Sequence, residues 1–291
     1  MTSHDSPFPF IAVLGAGTMG AGIAQVCAQA GSTVRLFDIE QRFVDRGMQT
    51  ITDFLDKGVA KGKVSGEARE ATIQRLRPTT SFEVAVSEAT LVIEAVPEKL
   101  ELKRELFQRA AAKVTERTVL ATNTSSLALS QIFANTPNRE RCIGMHFFNP
   151  VPIMSLLEIV RPEGCSDETL ALVQSHARAI GKEAIVVRDS PGFATSRLGV
   201  CLGLEAIRMV EAGVASAADI DKAMELGYRH PMGPLRLTDL VGLDVRLSIA
   251  DYLRQELDSA VFEAPRLMRE MVARGELGKK SGKGFYDWSA G

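Results

Sequence analysis

Surplus charge, paired cysteines and histidine are all scarce in this chain, and each shortage narrows what it can do. Against 34 Lys and Arg stand 36 Asp and Glu, a formal charge of −2. So balanced a surface has no net field to draw nucleic acid or an anionic membrane, and neither is expected as a partner. The four cysteines, Cys27, Cys142, Cys165 and Cys201, are scattered with no CxxC pair. That spacing argues against a disulfide framework or a zinc site, suits a reducing, cytoplasmic setting, and leaves no metal expected. No Lys or Arg precedes the uncharged stretch from Phe8 to Val34. On paper the stretch is long enough to span a bilayer. Glycines and two glutamines interrupt it, however, and a signal peptide needs a basic lead-in. Met1–Pro7 read as a frayed polar start. At 291 residues, 45% apolar and 24% charged, the chain has an ordinary globular composition and the length for two domains.

What is present is organised around Ile11–Gly22, IAVLGAGTMGAG. A run of β-formers leads into Gly15-Ala16-Gly17-Thr18-Met19-Gly20, and a helix-compatible segment follows from Ala21 to Ala30. This is the strand, tight turn and helix of a dinucleotide site. Gly15 allows the turn, Gly17 lets backbone approach a pyrophosphate, and Gly20 or Gly22 lets helix and strand pack closely. Thr18 and Met19 complete the cofactor-binding loop ahead of the helix, whose N-terminal N–H groups and partial positive charge suit phosphate. A second strand, Thr33–Phe37, ends in Asp38, about 20 residues on, where a carboxylate takes ribose hydroxyls and repels the 2′-phosphate of NADP. NAD is therefore the expected cofactor.

Strand and helix patterns then alternate. Helices are expected over Glu40–Lys63, Ala68–Leu76, Pro97–Val114, Ala128–Ala134 and Ser166–Gly181. Strands are expected over Arg77–Thr80, Thr90–Val96, Thr118–Asn123, Cys142–Phe148, Ser155–Val160 and Glu183–Val187. The alternation predicts an α/β fold, a Rossmann-type doubly wound, mostly parallel sheet over residues 1–190. Beyond residue 190 no β-rich run appears. Helical patterns over Phe193–Glu211, Ala217–Leu226, Leu235–Leu257 and Ala264–Arg274 predict a smaller all-helical C-terminal domain, 191–291. Val200–Val210 is apolar nearly all round, so it is expected to be buried, within its own domain or against a second subunit.

A nicotinamide enzyme that oxidises an alcohol must remove the hydroxyl proton as hydride leaves carbon, and near neutral pH histidine is the usual base. His4 lies in the frayed start, His176 mid-helix among Ser and Ala where solvent is expected, and His230 in a turn. His146 ends an apolar strand beside the crevice where such sheets bind ligands, with Asn149 a turn away. Glu158 interrupts the apolar SLLEIV run on a neighbouring strand. A carboxylate there would orient the imidazole and fix its tautomer, since a glutamate is seldom buried unpaired.

Taken together, NTSSL (Asn123–Leu127), HFFNPVP (His146–Pro152), Glu158, DSPGF with Arg197 (Asp189–Arg197), HPMGP (His230–Pro234) and GKKSGKGFY (Gly278–Tyr286) resemble the L-3-hydroxyacyl-CoA dehydrogenase family, its bacterial 3-hydroxybutyryl-CoA members in particular. The resemblance runs from about Phe10 to Trp288. It implies reversible NAD-dependent oxidation of an (S)-3-hydroxyacyl-CoA, whether in fatty acid β-oxidation, butanoate metabolism, polymer storage or aromatic degradation, with no enoyl-CoA hydratase segment attached. By matching position, His146 is the acid/base and Glu158 its partner, Ser125 bonds the substrate's 3-oxygen region beside the nicotinamide, and Asn149 orients acyl group or cofactor. Glu98, Lys103 and Lys280 contact NAD, and the basic region around Lys61 and Lys63 receives CoA phosphates. A C-terminal domain for substrate binding and dimerisation makes the expected assembly a homodimer.

Two positions depart from the pattern. One family lysine falls on Gly62, so Lys61 or Lys63 must substitute. The asparagine usual in PGF..NR is here Ser196, which is shorter by an amide and reaches a substrate only through water or a shifted pose. Two other readings compete with the first. A dehydrogenase of a free 3-hydroxy acid commonly uses a lysine base, which HFFNP and Glu158 disfavour. A non-catalytic NAD-binding relative like the family's lens crystallin is disfavoured by the retained Ser125, His146, Asn149 and Glu158.

Overall fold

The computed structural model describes residues 6–289; His4 and most of the polar start lie outside the described residues. The chain divides into two compact units, one ending at Ser190 and the other beginning at Pro191.

In the first unit the described residues form one eight-stranded sheet of order β3-β2-β1-β4-β5-β6-β7-β8. Strand β1 (Phe10–Leu14) has parallel neighbours in β2 (Thr33–Phe37) and β4 (Leu91–Glu94). The strand order reverses around β1, which opens a crevice at the carboxyl ends of β1 and β4. Beyond β4 lie β5 (Val119–Thr122) and β6 (Cys142–Phe147), both parallel; β3 (Leu76–Thr79) closes the other edge. The exception to parallel pairing is β7 (Leu156–Arg161). It runs antiparallel to β6, with β8 (Glu183–Arg188) parallel beside it. The central strands are continuous apolar runs because helices cover both faces: α1 (Thr18–Gln29), α2 (Gln41–Ala60), α3 (Gly66–Arg75), α4 (Phe82–Val86), α5 (Leu100–Ala111), α6 (Leu129–Ile132) and α7 (Asp167–Ala179). Val13, Leu36, Leu91, Ile93, Ile143 and Ile159 are fully buried in this core. Each such side chain contributes about 1.5–3 kcal/mol relative to exposure.

The doubly wound sheet is the expected one. α4, only a turn or so long, is an element the periodicity does not signal; Ser81 starts it by accepting from the Val84 N–H at 3.3 Å.

The second unit is helical: α8 (Thr195–Glu211), α9 (Ala217–Gly227), α10 (Pro234–Val241), α11 (Leu243–Glu256) and α12 (Arg266–Ala273). Where one helix is expected over Leu235–Leu257, there are two. Gly242, at φ 103°, breaks them in a conformation open to glycine. Within Val200–Val210, the residues Val200, Gly203, Leu204, Ala206 and Ile207 are buried in the unit's own core. The aromatic tail is tied down by Asp239. This fully buried carboxylate accepts from the Phe285 and Tyr286 N–H groups at 3.0 and 2.9 Å and from Trp288 Nε1 at 2.8 Å. No helix among the described residues is long and apolar enough to cross a membrane.

Candidate active site

The glycine loop shows why each glycine is there. Gly15 sits at φ 107°, and a Cβ on it would meet the Ala95 carbonyl at 2.6 Å. A Cβ on Gly20 would stand 1.8 Å from the Gly15 carbonyl oxygen, so α1 meets the strand end only at a glycine. On Gly17 a Cβ would meet nothing within 4 Å: that position faces open space. Gly17 is also the N-cap of α1, which has neither a side-chain cap nor an acidic residue in its first turn. Its first N–H groups and dipole are thus left to an anion from outside the chain. Gly22 plays no part in the turn; it packs under Val151, whose Cβ would lie 2.8 Å from a Cβ there.

Asp38 ends β2 at this loop. One carboxylate oxygen accepts from the Ala16 N–H at 2.8 Å and the other from its own neighbour Ile39 at 2.8 Å. Each oxygen keeps further acceptor capacity for a diol. Gly15, Gly17, Thr18, Met19 and Asp38 border one cleft of about 560 Å³, walled opposite by Ala95–Pro97 and α5. Open backbone over Gly17, an uncapped helix N-terminus and a carboxylate at the strand end fit the pyrophosphate and ribose of a dinucleotide.

A buried charge network, which the residue pattern did not single out, stands behind that wall. Glu94 ends β4, fully buried, and accepts from Lys103 Nζ at 2.6 Å, Thr122 Oγ1 at 2.6 Å and the Val96 N–H at 2.7 Å. Burial pushes its carboxyl pKa up, against the pull of Lys103 and the other donors. Lys103, only 1% exposed, also lies 3.2 Å from Glu98. The resemblance sets Lys103 against NAD; here its ammonium is enclosed by the two carboxylates. The Glu98 carboxylate in turn accepts from Thr124 Oγ1 at 2.6 Å and from the Ser125 and Ser126 N–H groups at 2.9 and 3.2 Å. The Ser125 hydroxyl is 3.3 Å away. Burial works against the Glu98 charge, but Lys103, Thr124 and Ser125 together outweigh it and hold the carboxyl below its usual range. The signal for Glu94 was available: like Glu158, it is a lone charge in an apolar strand.

His146 and Glu158 meet because β6 and β7 are antiparallel with these two residues in direct register. Directly opposed residues share a sheet face, and His146 Nδ1 lies 2.8 Å from Glu158 Oε2. Glu158 is fully buried and His146 nearly so. With the carboxylate accepting, Nδ1 carries the proton and Nε2 is the basic nitrogen of the neutral ring. The Phe148 ring packs 4.5 Å from the imidazole. Asn123, at the end of β5, accepts from the Phe147 N–H at 2.9 Å, joining the Ser125 turn to the histidine strand. Asn149 follows, exposed.

The other histidine of interest reverses its expectation. His176 is fully buried, with Nδ1 2.8 Å from Ser6 Oγ and Nε2 3.6 Å from Cys27 Sγ of α1. Burial pushes the imidazole pKa down to about 4. Lys61 and Lys63, at and after the end of α2, are exposed. In the second unit, Ser196 lies in the first turn of α8 and is half-buried. Lys280 is exposed, ion-paired with Asp244 at 2.6 Å.

Comparison with known proteins follows the same division. Residues 10–190 match the family profile of the 3-hydroxyacyl-CoA dehydrogenase NAD binding domain, and residues 192–288 that of the 3-hydroxyacyl-CoA dehydrogenase C-terminal domain. The chain is 42% identical to a probable 3-hydroxybutyryl-CoA dehydrogenase of Bacillus subtilis, across 96% of each chain. It is likewise 42% identical to a 3-hydroxybutyryl-CoA dehydrogenase of Mycobacterium tuberculosis, across 96% of this chain and 98% of that one. Among solved structures, (S)-3-hydroxybutyryl-CoA dehydrogenase from Ralstonia eutropha superposes with a TM-score of 0.93 at 38% identity, covering 97% of this chain and 99% of that one.

Proposed function

The chain belongs to the 3-hydroxyacyl-CoA dehydrogenase family, and from that membership we infer that it interconverts (S)-3-hydroxybutyryl-CoA and acetoacetyl-CoA. The observation that carries the reading is the buried His146–Glu158 pair at 2.8 Å. In the oxidative direction His146 Nε2 takes the hydroxyl proton while the Glu158 carboxylate holds the ring and stabilises the imidazolium that forms; in reduction the same nitrogen returns the proton. Bound NAD supplies the hydride acceptor or donor. Ser125 hydrogen-bonds in the substrate's 3-oxygen region beside the nicotinamide, and Asn149 orients the acyl group or the cofactor. Glu98 anchors the Ser125 turn, and Lys103 acts on the ligand through Glu98. Gly15, Gly17, Thr18, Met19, Gly20 and Asp38 hold the dinucleotide, and Lys280 adds a cation for it. Lys61 and Lys63 meet the CoA phosphates, and Ser196 contributes a shorter hydrogen-bonding group than the family's asparagine.

Residues 1–190 thus form the NAD-binding domain that also carries the acid/base pair, and residues 191–291 add substrate binding and assembly. A homodimer through the C-terminal unit is supported by apolar side chains left outside: Leu198, 71% exposed, with Leu202, Leu240, Val241 and Val245. A reducing cytoplasm suits the four free cysteines. The test is NADH oxidation with acetoacetyl-CoA beside an NADPH control. Rapid turnover with NADH, lost in His146→Gln, is expected; a wild type that binds NADH and reduces no 3-oxoacyl-CoA overturns the reading. For the dimer, sedimentation at the mass of one chain overturns it.

A further inference from the structure

Lys182 follows α7 and the turn at Gly181, a stretch whose pattern suggests nothing beyond a helix stop. Its side chain nevertheless runs inward. The residue is 8% exposed, and its ammonium donates to two backbone carbonyls, those of Val151 and Met154, the latter at 2.6 Å. Both carbonyls belong to the segment linking β6 to β7, the link between His146 and Glu158. Hydrogen bonds from a charged donor are stronger than neutral ones, and a cation so enclosed commonly finds a carboxylate. Here two carbonyls take that place.

The same segment is held from its other side. Val151 is buried against Gly22 in α1, the helix that starts at the glycine loop. The turn itself is tight, since the Pro150 carbonyl accepts from both the Ile153 and Met154 N–H groups, at 2.9 and 3.0 Å. Next to the clamp, the Glu183 N–H donates to the Ser155 carbonyl at 2.8 Å, where β8 begins to pair with β7. Asn149 stands at the start of this segment, exposed.

We propose that Lys182 is a positioning residue: its ammonium and the Val151–Gly22 contact fix the Asn149–Met154 segment so that Asn149 is presented beside His146. The inference rests on the reading of His146 and Asn149 as substrate-facing. The His146–Glu158 pair does not depend on the clamp, because the β6–β7 ladder sets it. Loss of the clamp therefore disturbs placement of the acyl-CoA and leaves the acid/base pair and the dinucleotide cleft in order.

The experiment is steady-state kinetics of Lys182→Met, which keeps chain length and removes the donors. KM for acetoacetyl-CoA is expected to rise about tenfold with KM for NADH within twofold, a smaller effect than the roughly hundredfold that a 1 Å misplacement can cost. A role in stability alone lowers the amount of folded enzyme and moves neither KM, so unchanged KM values overturn the proposal. Should Lys182→Met not fold, Val151→Ala loosens the same segment with Lys182 intact. It carries the same expectation and the same overturning result. Where both fold, the double variant is expected to cost less than the product of the two, since both act on one segment. A wild type inert toward acetoacetyl-CoA defeats the proposed function; an active wild type matched by both variants defeats only this inference.

Discussion

His146 Nδ1 and Glu158 Oε2 lie 2.8 Å apart across an antiparallel strand pair in a sheet that is otherwise parallel. The single reversal of strand direction places the two residues opposite each other on one face, a short reach for both side chains. Glu158→Gln keeps shape and one hydrogen bond but removes the charge that steadies the imidazolium. Its kcat is expected to fall at least tenfold and by as much as about 10⁴, the cost of the equivalent amide substitution beside a catalytic histidine. His146→Gln removes the proton acceptor and is expected to cost about 10²–10⁴. Stopped-flow or steady-state NADH oxidation checks both, with circular dichroism to verify the fold; a Glu158→Gln variant at wild-type kcat contradicts the pairing.

Asp38 spends one oxygen on the glycine loop, through Ala16 N–H at 2.8 Å. Asp38→Ala thus removes both a ribose acceptor and a brace of the loop. KM for NADH is expected to rise at least tenfold, the loss of about 1.4 kcal/mol that a charged hydrogen bond readily accounts for. The ratio of NADPH to NADH activity should rise with it, because the charge that repels a 2′-phosphate is gone. An unchanged cofactor ratio counts against this role.

Lys103 and Glu94 form an ion pair with both side chains out of water, 1% and 0% exposed. Breaking such a pair by removing one partner strands a buried charge, at about 3–5 kcal/mol. Lys103→Met should lower stability by that amount in urea titrations. The double variant Lys103→Met with Glu94→Leu should recover only part of it: the fully buried charge is gone, but Glu98 loses its cation and the Thr122 hydroxyl and Val96 N–H lose their acceptor. A double variant less stable than Lys103→Met alone would refute the account.

His176 gives the protein an acid-sensitive core. Its pKa falls from 6.5 to about 4 on folding, through burial. Above pH 6.5 both states carry a neutral ring and the group has no effect. Between 6.5 and about 4 the unfolded chain gains a proton that the folded one refuses, so stability falls as pH drops. The full loss is roughly 3 kcal/mol. Urea unfolding from pH 7 to pH 4 should show that slope in the wild type and a flatter one in His176→Phe.

Much of this molecule could be read directly from residue order. Gly15, Gly20 and Asp38 announce a dinucleotide loop because each answers a local demand, a positive φ, a backbone contact or a strand-end carboxylate. The lone charge of Glu158 in SLLEIV announces a buried partner, since burial without one is too costly. Other features escaped because their cause is distant in the chain. His176 looks solvated among Ser and Ala, yet it is the face of α7 that carries it which meets Cys27 and Ser6, which lie 149 and 170 positions away in the chain. Gly242 ends one helix and starts another inside a run whose apolar spacing is unbroken.

The sequence by itself determined the strand–helix alternation, the glycine loop and the identity of the acid/base candidates, because hydrophobic period and backbone sterics act over a few residues. Only the tertiary structure decided that β7 turns antiparallel to put Glu158 on His146. It alone decided that Lys103 closes on Glu94 rather than on open solvent, and that Lys182 holds the link between the paired strands. Charged groups such as these find their partners by exclusion from water. Which partner lies within reach depends on how the whole sheet is wound.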